Sequence, residues 1–307
     1  MKKSVLGHLL LGLAIFLTSN AFAAELMSEK FRAEPFNTID VSGAINVEII
    51  NDRSDYCLEL IGDSASLSHV YVASKNGVLT LSSSAPVLAK VTTKTLNLLR
   101  YAGTGNVAGV NLTGPLNLGS NGTGTITLVG KDIELHQLNV GNAGNVHVIG
   151  INSNHLDIQD NGSGKVNLSG NMVLANLVYN GSGPLSIEWV NSSNVKVSGN
   201  GSGRVFLAGE AGLLDANIGA QTYLDAKYLH AQRAFVHTAQ EARADVWTHS
   251  TLNTLATDKS TIYYYNNAPL VNSYTVTPGT VLRMTDIDAD HPPLARDNCA
   301  KKCVNNC

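Results

Sequence analysis

Asp157 and Asp160 lead into an Asn161-Gly162-Ser163-Gly164 run, and two carboxylates facing each other at about 5 to 9.5 Å are what glycoside hydrolysis requires. The spacing argues against that use. Asp157 lies between Leu156 and Ile158 in an alternating segment and so faces outward. The positions one repeat away are not acids: Gln137 and Leu177 for Asp157, Val140 and Asn180 for Asp160. Both acids are therefore expected in solvent, as strand-face and turn residues. His136, His147 and His155 could converge across repeats, but the chain has no H-x-x-x-H or H-E-x-x-H pairing, and isolated strand histidines are ordinary surface residues. Ser163, Ser182 and Ser202 imitate a nucleophile array, yet the G-x-S-x-G elbow needs a strand-to-helix turn and these serines enter another strand. Calcium-binding nonapeptides need an Asp in each glycine-rich turn, where this chain has Asn, Ser or Thr. No catalytic, cofactor-binding or metal-ligating residue is assigned, and no cofactor is expected.

Cysteine chemistry is the other candidate. Cys57, Cys299, Cys303 and Cys307 are even in number, which in an oxidising compartment reads as two disulfides, one tying Cys57 to the tail if all four pair within the chain. The four-residue spacing of the last three could also align thiols on a helix for a soft metal. Structural zinc motifs, however, pair C-x₂₋₄-C with a second pair or with histidines, and the last 16 residues contain no His.

What must position all of these residues is a repeat. Between Tyr101 and Gly209 lie 20 of the 28 glycines and only nine charged residues. Glycine-rich turns recur at Gly105, Gly124, Gly144, Gly164, Gly183 and Gly203, at intervals of 19, 20, 20, 19 and 20, the signature of a solenoid. The structural corner residues are Asn121, Gly122 and Gly124, Asn161, Gly162 and Gly164, Asn180, Gly181 and Gly183, and Asn200, Gly201 and Gly203. Segments such as Ile126-Thr127-Leu128 and Val205-Phe206-Leu207 alternate with period two, which predicts short strands with one buried face. One corner type per coil favours a parallel β-helix over a meander, whose turns would alternate between two ends of a sheet. Glycine is expected at the corners for its access to positive φ, and stacked Asn side chains are expected to hydrogen-bond along that edge. Beyond Gly209 the pattern decays into coils whose corners have lost glycine (Ala220-Gln221, Glu241-Ala242-Arg243, Asp258-Lys259-Ser260), as capping coils do. Aromatics cluster at Tyr263-Tyr264-Tyr265 and Tyr274, where packing of a capping coil outweighs ligand binding.

Composition narrows the function classes. The chain of 307 residues is 44% hydrophobic, 15% charged and carries a net charge of −3, so neither disorder nor nucleic-acid binding is expected. Lys2 and Lys3, the apolar run Val5 to Leu17 and Ala21-Phe22-Ala23 form the layout of a secretory signal peptide cleaved after residue 23. Val5 to Leu17 is too short to span a bilayer, which takes about 20 residues, and no transmembrane segment is expected in the mature chain.

The N-terminal third reads Phe36-Asn37-Thr38-Ile39-Asp40-Val41-Ser42-Gly43-Ala44-Ile45-Asn46-Val47-Glu48-Ile49, then Leu58 to Asp63 and Asn76 to Leu81. With Leu96 to Gly105, this resembles the putative autotransporter adhesin head GIN domain family, from about Phe36 to Met284. The resemblance implies a right-handed β-helix and an envelope or surface location. A membrane barrel of strands of about 10 residues each does not follow in this sequence, so self-export through one is not expected. The reading is thus an all-β protein: a signal peptide at 1–23, a parallel β-helix with coils of about 20 residues and atypical capping coils at 24–285, and a Cys-containing tail at 286–307. It is expected to be a non-enzymatic, disulfide-bearing bacterial protein of the periplasm, outer surface or medium. An Asn/Ser/Thr-rich face would meet a glycan or protein partner, with oligomerisation left open. The alternatives are a polysaccharide-active enzyme using paired carboxylates and a purely structural envelope protein.

Overall fold

The computed structural model describes residues 26–52, 55–266, 268 and 270–284. The leader and the Cys-bearing tail lie outside them. The chain winds into a β-solenoid of about ten turns. Its body is made of β9 (Val107–Ser120), β10 (Ile126–Val140), β11 (Val146–Asp160), β12 (Val166–Tyr179), β13 (Leu185–Gly199), β14 (Arg204–Ile218), β15 (Tyr223–Thr238) and β16 (Arg243–Ala256), each parallel to the next. These long strands are bent. In β10 the buried residues come as three pairs, Ile126 and Leu128, Ile133 and Leu135, Leu138 and Val140, and the register shifts between the pairs. Each coil therefore has three short sides, and the side chains of each pair point into a common interior.

Register turns this alternation into columns. Ile126, Val146, Val166, Leu185, Val205, Leu224, Ala244 and Ile262 stand one above another, all fully buried. Burying such a side chain is worth about 1.5–3 kcal/mol, so the core is a continuous column rather than a local cluster. The sheet ends on β17 (Thr261–Tyr265) and β18 (Leu270–Thr275), which both pair with β16, and on β19 (Thr280–Arg283), which pairs with β17.

The N-terminal coils are stacked out of sequence order. β2 (Thr38–Gly43) lies between β6 (Val78–Ser83) and β8 (Leu98–Gly103), and β3 (Asn46–Asn51) between β7 (Leu88–Thr93) and β9, all parallel. The outer edge is closed by antiparallel strands: β4 (Cys57–Gly62) on β7, β5 (Val70–Lys75) on β6, and β1 (Met27–Arg32) on β4. Asn76 and Gly77, both at positive φ, make the two-residue hairpin between β5 and β6. A four-residue helix, α1 (Ser64–Leu67), connects β4 to β5.

One expectation about the corners is overturned. None of Gly122, Gly124, Gly162, Gly164, Gly181, Gly183, Gly201 and Gly203 has a φ in the left-handed region. Glycine is required there by stacking distance. A Cβ on Gly162 would sit 2.5 Å from the carbonyl oxygen of Asn142, and one on Gly183 would overlap that of Gly164. The corner backbones bond directly instead, as in Ser182 N–H to Gly162 O (2.9 Å) and Ser202 N–H to Gly181 O (3.0 Å).

Candidate functional site

The two acids that the sequence singles out point to opposite sides of the sheet. Asp157 faces outward, half-buried. Its carboxylate accepts a bond from Asn176 Nδ2 at 2.8 Å and lies 3.1 Å from His155 Nε2, and these contacts, the first above all, hold it below its ordinary pKa. Its neighbours one coil away are Gln137 and Asn176, not Leu177, because the 19-residue coil shifts the register by one. The same shift puts Tyr179, not Asn180, beside Asp160. Asp160 is not in solvent. It is fully buried in the inward column between Val140 and Tyr179, with Oδ1 accepting from Gly162 N–H at 2.8 Å and Oδ2 without a partner. Burial pushes its pKa up to about 6. Three positions along a period-two strand put two residues on opposite faces, so these acids cannot act on one bond together.

Carboxylates one coil apart do occur elsewhere. Asp225 and Asp245 are register partners, and both are buried. Asp245 accepts two bonds from Arg243, each 2.7 Å, and one from Tyr223 Oη at 2.8 Å, while Asp225 is paired with Arg204. The Arg243 guanidinium also lies over the rings of Tyr223 and Tyr263, at 4.8 and 4.6 Å. These contacts stitch the coils of β14, β15 and β16 together.

The remaining sequence candidates are dispersed. His136 is 3.8 Å from Glu134, and His147 Nδ1 is 3.2 Å from Asn167 Nδ2. Among the described residues no three His, Cys, Asp or Glu side chains gather as a metal site. Ser163, Ser182 and Ser202 are exposed along the corner edge, over a shallow trough of about 530 Å³. On that edge Asn180 Nδ2 donates to Asn161 Oδ1 at 3.1 Å, and Asn142 Nδ2 to the Asn121 carbonyl at 2.9 Å. Tyr265 is buried and Tyr264 packs against the core, whereas Tyr274 is exposed.

Cys57 opens β4 in the N-terminal cap; Cys299, Cys303 and Cys307 lie outside the described residues. β4 and β19 are about twelve rungs apart.

The outward face of the third side is a regular surface. Asn117, Gln137, Asp157, Asn176, Lys196 and Asp215 form one column, and Asn139, Gln159, Val178, Ser198 and Asn217 a second beside it. Shallow depressions lie at its two ends, about 600 Å³ beside the Asp40–Arg100 pair and about 370 Å³ beside Phe235 and Tyr274. The second side carries what the sequence reading missed: Trp247 between His230 and His249, with the other tryptophan, Trp189, half exposed at the bend before that side. The available signal was that these are the chain's two tryptophans. The coil position of Trp247 was hidden because the glycine corners that count the coils stop at Gly203.

Among the described residues no helix is long and apolar enough to cross a membrane. No curated protein matches the chain. Among solved structures, it is similar to a putative lipid binding protein from Parabacteroides distasonis (15% identity, 86% of this chain and 98% of that one, TM-score 0.48). Two putative adhesins are also similar, from Parabacteroides distasonis (19% identity, 85% and 98%, TM-score 0.46) and Parabacteroides merdae (18% identity, 86% and 98%, TM-score 0.42). The family described as "Putative auto-transporter adhesin, head GIN domain" matches residues 35–205 and 173–268, most of the chain. This protein therefore belongs to that family.

Proposed function

We propose that the protein is a non-enzymatic, exported binding protein that lays the third side of its solenoid against a glycan at the cell surface. The mature chain would begin at residue 24, with one solenoid domain to residue 285 and a short Cys-bearing tail. The observation that carries the reading is the register of polar side chains on that side: Asn117, Gln137, Asp157, Asn176, Lys196 and Asp215 stack in one column, and Asn139, Gln159, Ser198 and Asn217 fall in the next, at whole multiples of the rung spacing of about 4.8 Å. Polar donors and acceptors at a periodic spacing suit many weak contacts along an extended, hydroxyl-rich partner. Membership in an adhesin family supports the same class of function. The opposed orientation of Asp157 and Asp160 removes the basis on which hydrolysis was considered.

The test is a glycan array probed with the mature chain, alongside a Gln137→Ala/Gln159→Ala/Asn217→Ala variant. All three residues are exposed on one face. Array signal lost by the variant at unchanged melting temperature supports the proposal. Equal binding by both proteins overturns the assignment of the face, and no binding by the wild type overturns the glycan.

A further inference from the structure

On the second side, Asn191, Glu210, His230 and Trp247 occupy one register column on four successive coils. The rings follow one another in a series. His230 and Trp247 have centroids 4.4 Å apart at 33°, and His249 continues the series at 6.2 Å and 24°. Beneath them the coil of β14 narrows to Ala211 and Gly212, which leaves a step of about 350 Å³ under the overhanging rings. The step is fixed in the backbone: a Cβ on Gly212 would lie 2.5 Å from the carbonyl oxygen of Ser193, so that position holds no side chain. Glu210, Asn191 and Gln232 supply a carboxylate and two amides around it, all exposed.

We propose that this step is a sugar subsite that seats one pyranose residue of a glycan. The proposal rests on the glycan reading above and deepens it by giving the anchor point. A pyranose has one face of C–H groups and a rim of hydroxyls. The aromatic stack offers the first a flat apolar surface, and the side-chain carboxylate and amides offer the second donors and acceptors. Other ligand chemistries fit less well. A phosphate or carboxylate would meet Glu210 with no Lys or Arg lining the step, and an aliphatic chain would leave three polar groups desolvated without partners. The volume is at the lower end for a ligand pocket, enough for one ring and not for a chain. The rest of the glycan must then run over the surface. Specificity would come from this subsite and avidity from the polar face.

A Trp189→Phe variant leaves Trp247 as the chain's one indole and makes it a reporter. Titrating this protein with glucose, galactose, mannose and N-acetylglucosamine should give a saturable change in Trp247 emission with at least one of them. Glu210→Gln and Gln232→Ala, both at exposed positions, should each weaken that response by about tenfold without moving the melting temperature. Trp247→Ala should abolish array binding. Should Trp247→Ala not fold, the two polar variants carry the test. Array binding unchanged in Glu210→Gln and Gln232→Ala, with no monosaccharide response from Trp247, overturns the subsite while the face reading stands. A wild-type protein that binds no glycan at all overturns both.

Discussion

The coils from β10 to β14 and those from β15 to β17 wind the same spiral with two different corners. In the first group the corner is glycine without left-handed backbone, and neighbouring corners approach closely enough for direct main-chain hydrogen bonds. In the second, side chains return and the left-handed backbone appears on residues other than glycine: Ala220 (φ 52°), Gln240 (60°) and Asp258 (56°). Each of these turns closes on itself, through Thr222 N–H to Gly219 O (3.1 Å), Ala242 N–H to Ala239 O (3.2 Å) and Ser260 N–H to Thr257 O (3.2 Å). Buried hydroxyls then bridge to the coil below, as with Thr222 Oγ1 at the backbone of Gly201 and Ser260 Oγ at Thr238. The Arg204–Asp225 pair ties β14 to β15, and Tyr223 Oη ties β15 to Asp245 of β16, whose carboxylate Arg243 grips from the same strand. Glycine density along this chain thus reports how closely corners stack, not how sharply they turn.

The largest effect that separates the two corners is expected from Gly183→Ala. A Cβ there overlaps the carbonyl of Gly164, and the loss should be about 3 kcal/mol, read as a fall in the denaturation midpoint. A loss under about 1 kcal/mol would mean that the corners can spread and would break the distinction. Asp245→Ala should cost a similar amount, about 3 kcal/mol, because it strands Arg243 and the Tyr223 hydroxyl; a double-mutant cycle with Arg243→Ala measures the shared part.

Asp160 is the counterpart of Asp245 in the glycine coils, a buried carboxylate with no cation beside it. Its folded-state pKa of about 6 lies above the ordinary 3.8, so the folded chain holds the proton more tightly than the unfolded one. The stability this lends is complete below about pH 4 and is lost as the pH rises through 6. Asp160→Asn should therefore gain up to about 2 kcal/mol at pH 8 and nothing at pH 3.5. Melting curves at the two pH values decide it, and equal effects at both would show that the site is not a proton trap. The smallest effect belongs to Ala220→Gly. It removes a left-handed alanine at the entropic expense of a glycine, for a net gain of about 0.5 kcal/mol, opposite in sign to Gly183→Ala. A destabilised Ala220→Gly protein would remove the contrast.

Much of this was legible beforehand, and the failures have physical causes. The glycine spacing counted the coils from Gly105 to Gly203 because main-chain contact between corners tolerates no other residue. It said nothing about rung order at the N-terminus, since β2, β6 and β8 alternate alike and any of them fits beside any other. The inward turn of Asp160 was available from its odd spacing to Asp157, but the expectation that charge stays in water outweighed it. The Arg–Asp–Tyr stitch was also written at a 20-residue interval, in Tyr223-x-Asp225 and Arg243-x-Asp245, within the region where the glycine phase had already run out. The register slip at Leu177 follows from the 19-residue coil between Gly164 and Gly183, which a fixed 20-residue count carries through uncorrected.

The interleaved N-terminal coil also sets how the molecule bears tension. β2 and β3 are held by neighbours on both flanks, so drawing them out must shear two ladders at once. Among the described residues, β18 and β19 each have a single paired neighbour and can peel away one rung at a time. Stretched between its ends in an optical trap, the protein should give up β18 and β19 in small steps, with β2 and β3 giving way last and at the highest force. Rupture of β2 and β3 before β18 and β19 would contradict this. The lock at this end of the spiral is built by threading an early segment between two later ones.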